Sequence, residues 1–272
     1  MSTSMKNAVK TSIIRKNEVQ NKALASVLKH FKRKHRALVT MACGSGKTRV
    51  CFMVISSMKA AVSVIAVPTL GLVRQMQDDA VRWMPGEKFD KLLVCSTIRH
   101  GDVSESPEDY GLDVTTSPEV ILEAISKASK KNRLLIVVTY QSFDKMAAAA
   151  KLAKKRRKNI EIGLLVADEA HNTAGESGKK MALCLSDRSV KINKRLFLTA
   201  TRKVIGQNTK NPQNYNCMDD ERVYGKNVFD LSFAEAIKLG ITCDYEILNM
   251  EVNWKGDDAK KLNTKDYQKI QG

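Results

Sequence analysis

Long apolar runs, cysteine pairs and histidine clusters are all missing from this sequence of 272 residues. The longest apolar stretches, such as Ala60–Val67, are too short to cross a membrane, and no signal peptide or internal repeat is recognisable. The six cysteines form no Cys-x-x-Cys motif and the four histidines are scattered, so neither a zinc site nor a disulfide framework is predicted. We expect small buried thiols in a protein of a reducing intracellular compartment, cytoplasm or nucleus, without a membrane partner.

A large excess of positive charge is the main compositional feature that is present. Lys and Arg number 46 against 29 Asp and Glu, which gives a formal net charge of +17. The basic residues cluster in Lys29–Arg36, Lys127–Arg133, Lys151–Lys158 and Arg188–Arg195. This charge favours a polyanionic partner, nucleic acid before membrane, because no basic amphipathic helix stands out. A basic surface that serves only solubility is the alternative.

The stretch Ala37–Thr48 carries the clearest motif. Ala37–Cys43 is typical of a buried strand, and an apolar-rich helical pattern begins after the motif. The turn between strand and helix consists of Gly44, Ser45, Gly46, Lys47 and Thr48. Such a turn directs backbone N–H groups at phosphate oxygens, Lys47 can bind the β and γ phosphates, and Thr48 can offer its hydroxyl to Mg²⁺. The full pattern has a glycine where this chain has Met41, and a strand–helix turn without a ligand is the alternative.

Apolar strands alternate with helices along the rest of the chain. The predicted strands are Ala61–Val67, Lys91–Cys95, Leu134–Thr139, Ile160–Ala167, Arg195–Ala200 and, beyond a short capped helix at Ser232–Gly240, Tyr245–Val252. A further helix is predicted at Ile13–Phe31. Continuous apolar strands separated by helices predict an α/β fold with a mostly parallel central sheet and helices on both faces. Such sheets bind ligands at the carboxyl ends of their strands, where several polar motifs of this chain fall.

An acidic motif follows the strand Ile160–Ala167, which could lie beside the strand of the glycine turn. Its sequence is Asp-Glu-Ala-His over Asp168–His171. Asp168 at this place can hold Mg²⁺, and Glu169 can orient and deprotonate an attacking water. An exposed helix start with acids in its first turn is the alternative.

Together these motifs resemble superfamily 2 helicases and translocases of the DEAH-box type. The resemblance rests on Gly44–Thr48, Val67–Leu70 with Gln75 behind it, Asp168–His171 and Leu198–Thr201, in the order of that family. Val137–Phe143 and Met218–Glu246 are similar to the motors of restriction enzymes and to predicted helicases of viruses and plasmids. The resemblance spans roughly Gln20 to Met250 and implies a RecA-like P-loop NTPase domain that uses ATP and Mg²⁺ and acts on DNA rather than RNA.

The same resemblance implies roles for residues outside the two main motifs. Gln20 would read adenine ahead of the phosphate loop. The residues implied to contact the nucleic-acid backbone are Thr69, Arg74, Gln75, Thr139 and Ser142. Those implied to couple the nucleotide site to the nucleic acid are His171, Thr199 and Thr201. Hydroxyls and amides suit phosphate contacts that ignore base sequence, although ordinary loop residues would look the same.

The resemblance also predicts the domain organisation. We expect an N-terminal helical segment with the adenine-reading glutamine at 1–36, the RecA-like ATP-binding domain at 37–253, and the start of a linker at 254–272. No Gln-x-x-Gly-Arg-x-x-Arg-like element of a second lobe is recognisable. We therefore expect only the first motor lobe, completed by a longer chain or by a partner, that binds Mg·ATP weakly and does not unwind DNA alone. A different P-loop phosphotransferase and a nucleic-acid-binding scaffold with weak or no motor activity are the alternatives.

Overall fold

The computed structural model describes residues 3–100, 103–176, 180–204 and 214–244. The backbone divides into the units Met1–Thr242 and Cys243–Gly272, and the described residues lie almost entirely in the first. The predicted strand Tyr245–Val252 is outside the described residues. None of the described helices is both long enough and apolar enough to span a bilayer.

Eleven strands lie within the described residues. They are β1 (Arg36–Met41), β2 (Val62–Val67), β3 (Phe89–Val94), β4 (Ile98–His100), β5 (Val103–Glu105), β6 (Arg133–Thr139), β7 (Ile162–Ala167), β8 (Gly175–Glu176), β9 (Ile192–Thr199), β10 (Tyr215–Asn216) and β11 (Lys226–Leu231). Seven of them form one sheet in the order β11-β1-β9-β7-β2-β6-β3, and every pairing in it is parallel. All seven carboxyl ends therefore lie along one edge of the sheet.

Helices cover both faces of this sheet. They are α1 (Thr3–Phe31), α2 (Lys47–Met58), α3 (Leu70–Trp83), α4 (Pro118–Lys127), α5 (Phe143–Lys155), α6 (Glu221–Tyr224) and α7 (Phe233–Lys238). Apolar residues of α1, α2 and α3 pack with one set of strand side chains, and those of α4 and α5 pack with the alternate set. On β7, for example, Leu164 and Val166 face the first layer while Leu165 and Ala167 face the second. The predicted α/β, RecA-like architecture is confirmed.

The prediction that β7 pairs directly with the glycine-turn strand β1 is wrong. We expected β7 to lie beside β1, but β9 pairs with both and separates them. Thr40 of β1 is in register with Thr199, and Ala167 of β7 with Phe197, so the turns that follow all three strands still meet at one edge. The strand order changes the neighbours of the motifs without separating the motifs themselves.

Three further differences from the sequence-based predictions concern the start of α1, the edge strand β11 and the cysteines. Helix α1 begins at Thr3, ahead of the predicted Ile13. Strand β11 was not predicted, because its six residues at the sheet edge show neither a continuous apolar run nor a regular alternation of polar and apolar side chains. The six cysteines are free thiols, as expected, but Cys43 and Cys243 are exposed and not buried. The capping box of Ser232 and Glu235 at the start of α7 is confirmed.

Candidate nucleotide site

The glycine turn joins β1 to α2 in a conformation that requires glycine. Gly44 and Gly46 have φ angles of 75° and 94°, and Gly46 forms the N-cap of α2. The Ser45 hydroxyl donates to the carbonyl oxygen of Ala42 at 2.6 Å and closes the turn from inside. The first N–H groups of a helix have no partner within the helix, so α2 presents donors and a positive end at this point. An anion of phosphate type fits this arrangement.

Helix α1 holds the outer side of the turn. The Gln20 side-chain amide donates to the carbonyl oxygen of Ser45 at 2.9 Å, and its oxygen accepts from Arg49 at 2.8 Å. Lys16 Nζ donates to the carbonyl oxygen of Gly44 at 2.5 Å. A Cβ atom on Gly46 would lie 2.0 Å from Gln20 Nε2 and would displace this amide, while the φ angle of 94° by itself favours glycine. Gln20 is therefore buried against the glycine turn, and its adenine-reading role stays a prediction.

Lys47 lies between the turn and the acidic motif. Its side chain is buried, and Nζ lies 3.8 Å from Glu169 Oε1 and donates to the carbonyl oxygen of Met41 at 3.4 Å. Met41, at the position where the full pattern has glycine, ends β1 with its side chain in the core and its carbonyl oxygen facing the lysine. The two motifs therefore come together in space, although more than a hundred residues separate them in the sequence.

Asp168 is a buried carboxylate with one unsatisfied oxygen. It is 4% exposed, and Oδ1 has no hydrogen-bond partner among the described residues. Burial raises the pKa of Asp168 to about 6, and the negative charge of Glu169 acts in the same direction. A buried, unpartnered hard oxygen fits a divalent cation such as Mg²⁺, which uses one or two carboxylates together with phosphate oxygens and water. In the described part of the chain no group of three His, Cys, Asp or Glu side chains converges.

Glu169 has a strained backbone and a shared carboxylate. Its φ and ψ angles of 48° and 49° lie in the left-handed region, which costs an ordinary residue roughly 1–3 kcal/mol. His171 Nδ1 lies 3.4 Å from Glu169 Oε2 and 3.2 Å from the Thr199 hydroxyl. The hydrogen bond with His171 lowers the pKa of Glu169, and the charge of Lys47 adds to this effect. Thr199 in turn donates to the carbonyl oxygen of Thr201 at 2.7 Å. One chain of contacts thus joins the predicted coupling residues to the acidic motif.

Tyr140 supports the acidic motif through the backbone of Asp168, and sequence reasoning did not select it. It follows β6, is fully buried, and donates its hydroxyl to the carbonyl oxygen of Asp168 at 2.6 Å. That carbonyl belongs to the peptide that joins Asp168 to the strained Glu169, so the bond fixes the orientation of this peptide. Burial raises the pKa of Tyr140 well above its usual value and keeps the hydroxyl a donor. No motif in the sequence signals this contact.

We expect Tyr140→Phe to lower the free energy of unfolding by about 1–3 kcal/mol, because the Asp168 carbonyl oxygen loses its buried donor. Tyr224→Phe is the matched control: Tyr224 is equally buried, but its partner Thr173 also donates to the carbonyl oxygen of Ala170 at 2.7 Å. Loss of the Tyr224 hydroxyl should therefore lower the free energy of unfolding by less. Urea denaturation of the two variants measures the difference. Equal losses of unfolding free energy would show that the hydrogen bond to Asp168 contributes no more than the hydrogen bond to Thr173.

The predicted nucleic-acid contacts divide into exposed and buried side chains. Thr69 caps α3 by accepting from the backbone N–H of Leu72 at 3.3 Å. Arg74 and Gln75 are exposed on α3 and contact Asp78 and Asp79 one turn later, at 3.1 and 3.3 Å. Thr139 and Ser142, in contrast, are at most 1% exposed. Their hydroxyls do not reach the surface, because the buried part of β6 extends through Thr139 and the turn that follows it packs into the core.

The chain is similar to several known proteins. Residues 13–204 match the family described as "Type III restriction enzyme, res subunit". Over 228 residues the chain is 25% identical to "Probable helicase A859L" of African swine fever virus, covering 84% of this chain and 23% of the viral protein.

Two solved structures are similar in fold as well as sequence. The DNA-bound "ATP-dependent Type ISP restriction-modification enzyme LlaBIII" is 28% identical with a TM-score of 0.66, covering 84% of this chain and 16% of that one. A nuclease-deletion mutant of the Type ISP enzyme LlaGI, in complex with a DNA substrate mimic, is 26% identical with a TM-score of 0.64, covering 82% of this chain and 18% of that one. The chain thus spans less than a quarter of the length of each of these relatives.

The parallel sheet and the family match define a RecA-like, helicase-type domain of superfamily 2, in which the glycine turn and the acidic motif lie at one edge of the sheet. Within that class, the chain belongs to the family described as the res subunit of type III restriction enzymes, and it is similar to viral helicases and to Type ISP restriction enzymes.

Proposed function

We propose that this chain is the first motor lobe of an ATP-dependent DNA helicase or translocase of the DEAH type. The observation that carries the proposal is the approach of Lys47 Nζ to within 3.8 Å of Glu169 Oε1 at the carboxyl edge of the sheet. A phosphate-binding lysine and a carboxylate so close together suit a site that binds a nucleoside triphosphate and activates water.

In this proposal each residue of the site has a separate task. Lys47 and the free N–H groups of the glycine turn bind the phosphates, and Gln20, which contacts the turn, is assigned to adenine recognition. The Thr48 hydroxyl and Asp168 hold Mg²⁺, which neutralises charge on the phosphates when it is bound. Glu169 orients a water and accepts its proton, and its lowered pKa keeps it ionised as a base should be.

DNA is the proposed polyanionic partner. The net charge of +17 favours a nucleic acid, and two similar enzymes are described as bound to DNA or to a DNA mimic. The exposed side chains of Arg74 and Gln75 are suited to backbone contacts. The contacts of His171, Thr199 and Thr201 would transmit changes at Glu169 toward this surface.

A second RecA-like lobe is part of the proposal. We assign 1–36 to the helical segment, 37–253 to the ATP-binding lobe and 254–272 to a linker. The other lobe, in a longer chain or in a partner, would contribute arginines to the transferring phosphate. This lobe alone should bind Mg·ATP weakly, hydrolyse it slowly and fail to unwind DNA.

The test of nucleotide binding is Lys47→Ala. We expect a loss of about 1.5–3 kcal/mol of affinity for Mg·ATP, roughly 10- to 150-fold in Kd, because a charged hydrogen bond to phosphate is removed. Titration with a fluorescent ATP analogue measures it. Lys59→Ala is the control, since it removes the same charge at the exposed C-cap of the same helix.

The outcomes separate the alternatives. A wild-type chain that fails to bind the analogue would favour a nucleic-acid-binding scaffold without a working nucleotide site. Hydrolysis or transfer that is fast without DNA and unaffected by it would favour a different P-loop phosphotransferase. Equal affinities for the Lys47→Ala and wild-type chains would remove Lys47 from the site.

A further inference from the structure

A basic groove lies at the amino ends of the strands, far from the nucleotide site. It has a volume of about 720 Å³, and five basic side chains line it. These are Lys29, Lys32, Arg33 and Lys34, at the end of α1 and in the turn after it, and Lys226 at the start of β11. A smaller cavity of about 270 Å³ continues from it and shares His30, Lys34 and Lys226. Segments almost two hundred residues apart thus place their cations on one concave surface.

The charges of this groove are not neutralised within the protein. Among the described residues, none of the five side chains has an ion-pair or hydrogen-bond partner. No acidic residue lines the larger cavity, and one, Glu221, lines the smaller cavity. Basic residues nearby behave differently: Arg36 and Arg195 both pair with Asp187. Five unpaired like charges on one surface repel one another, and an anionic ligand would remove this cost.

The end of α1 does not oppose an anion in the groove. Helix carboxyl ends carry partial negative charge on their last carbonyl groups. Here Lys194 Nζ donates to the carbonyl oxygens of Phe31 and Lys34, at 2.5 and 2.7 Å, and thereby covers the end of the helix. The surface that faces the groove is consequently dominated by the lysine and arginine side chains.

We infer that this groove is a second binding site for the phosphate backbone of nucleic acid, separate from the proposed contacts at the carboxyl edge. A strand of six residues spans about 20 Å, so the groove and the nucleotide site lie at opposite ends of the sheet. The lining offers one partly buried apolar side chain, Val228, and no aromatic anchor of the kind that dominates protein–protein interfaces. The choice of nucleic acid as the polyanion rests on the proposed function.

The test is a charge-reversal variant, Lys32→Glu with Arg33→Glu and Lys226→Glu. All three residues are exposed and far from the nucleotide site. The matched control is Lys130→Glu with Lys131→Glu and Lys155→Glu, which makes the same change in net charge at exposed positions on or beside α4 and α5. Binding of a fluorescein-labelled 25-base-pair duplex is followed by anisotropy between 50 and 200 mM salt, with polyglutamate as a competing acidic probe and the ATP analogue as an independent readout.

We expect the groove variant to lose at least about 10-fold in duplex affinity and to reduce the slope of log K against log salt by about 2–3, because each phosphate contact contributes roughly 0.9. The control variant should keep its slope within about one unit, and both should keep wild-type affinity for the ATP analogue. Equal slopes for the two variants would overturn the inference. So would a groove variant that loses polyglutamate binding but keeps duplex binding, since the partner would then be an acidic protein. Failure of the proposed function appears separately, as absent binding of the analogue by the wild-type chain.

Discussion

Glu169→Gln is expected to reduce ATP turnover of the motor by roughly 10²–10⁴ while nucleotide affinity changes little. The amide keeps the size of the side chain and can still accept hydrogen bonds, but it cannot take a proton from water. Lys47, 3.8 Å away, loses a charged neighbour, which frees it for the phosphates and should not weaken binding. Single-turnover hydrolysis gives the rate and titration with the fluorescent ATP analogue gives the affinity, both on a form that contains the second lobe.

A matched carboxylate outside the site controls this experiment. Glu161 precedes the same strand, at its amino end, and contacts Lys191 at 3.4 Å on the exposed surface. Glu161→Gln should leave turnover at the wild-type value. Unchanged turnover in Glu169→Gln would remove this residue from the mechanism, whereas a parallel loss of nucleotide affinity would assign it to binding instead of proton transfer.

Gly225→Ala is expected to produce the largest loss of stability, on the order of 3–5 kcal/mol of unfolding free energy. Gly225 has a φ of 76° and a ψ of 175°, a region that is almost restricted to glycine. A Cβ atom there would lie 2.2 Å from the carbonyl oxygen of Arg36 and 2.7 Å from the backbone nitrogen of Ala37. Both neighbours belong to β1, so relief of the clash requires β11 to move away from its partner strand.

Gly86→Ala separates the contact from the backbone strain. Gly86 has a similar φ of 77°, but an added Cβ would meet nothing within 4 Å. Its cost should be limited to the left-handed conformation, about 1–2 kcal/mol. Urea denaturation of both variants supplies the comparison, and equal losses would show that β11 accommodates the extra carbon without leaving β1.

The site was predictable where short local patterns specify it. The glycine turn and the acidic motif each follow an apolar strand, and the rule that parallel strands end at one edge was enough to bring Lys47 and Glu169 together. The strand β9 was itself predicted, but its position between β1 and β7 was not, because strand order depends on packing across the whole sheet and has no local sequence signal. The same is true of the Tyr140 contact with Asp168, which joins residues that are adjacent only in the folded chain.

The exposure of individual side chains was the least predictable property. The resemblance assigned Thr139 and Ser142 to nucleic-acid contact, but both are buried, since the buried part of β6 extends through Thr139 and the turn after it packs into the core. Arg74 and Gln75, with the same kind of assignment, are exposed because α3 turns its apolar residues Val73 and Met76 toward the sheet. Helical periodicity could have predicted that Arg74 and Gln75 are exposed, whereas no periodic pattern predicts that Thr139 and Ser142 are buried.

The contact between Gln20 and the glycine turn matters for the design of recombinant fragments. A side chain at position 46 would displace the glutamine amide from the carbonyl oxygen of Ser45, so the Gln20 contact depends on glycine at this position. A recombinant fragment that started after α1 would leave the carbonyl oxygens of residues 44 and 45 without their donors. A recombinant fragment that keeps both donors must therefore begin upstream of Lys16.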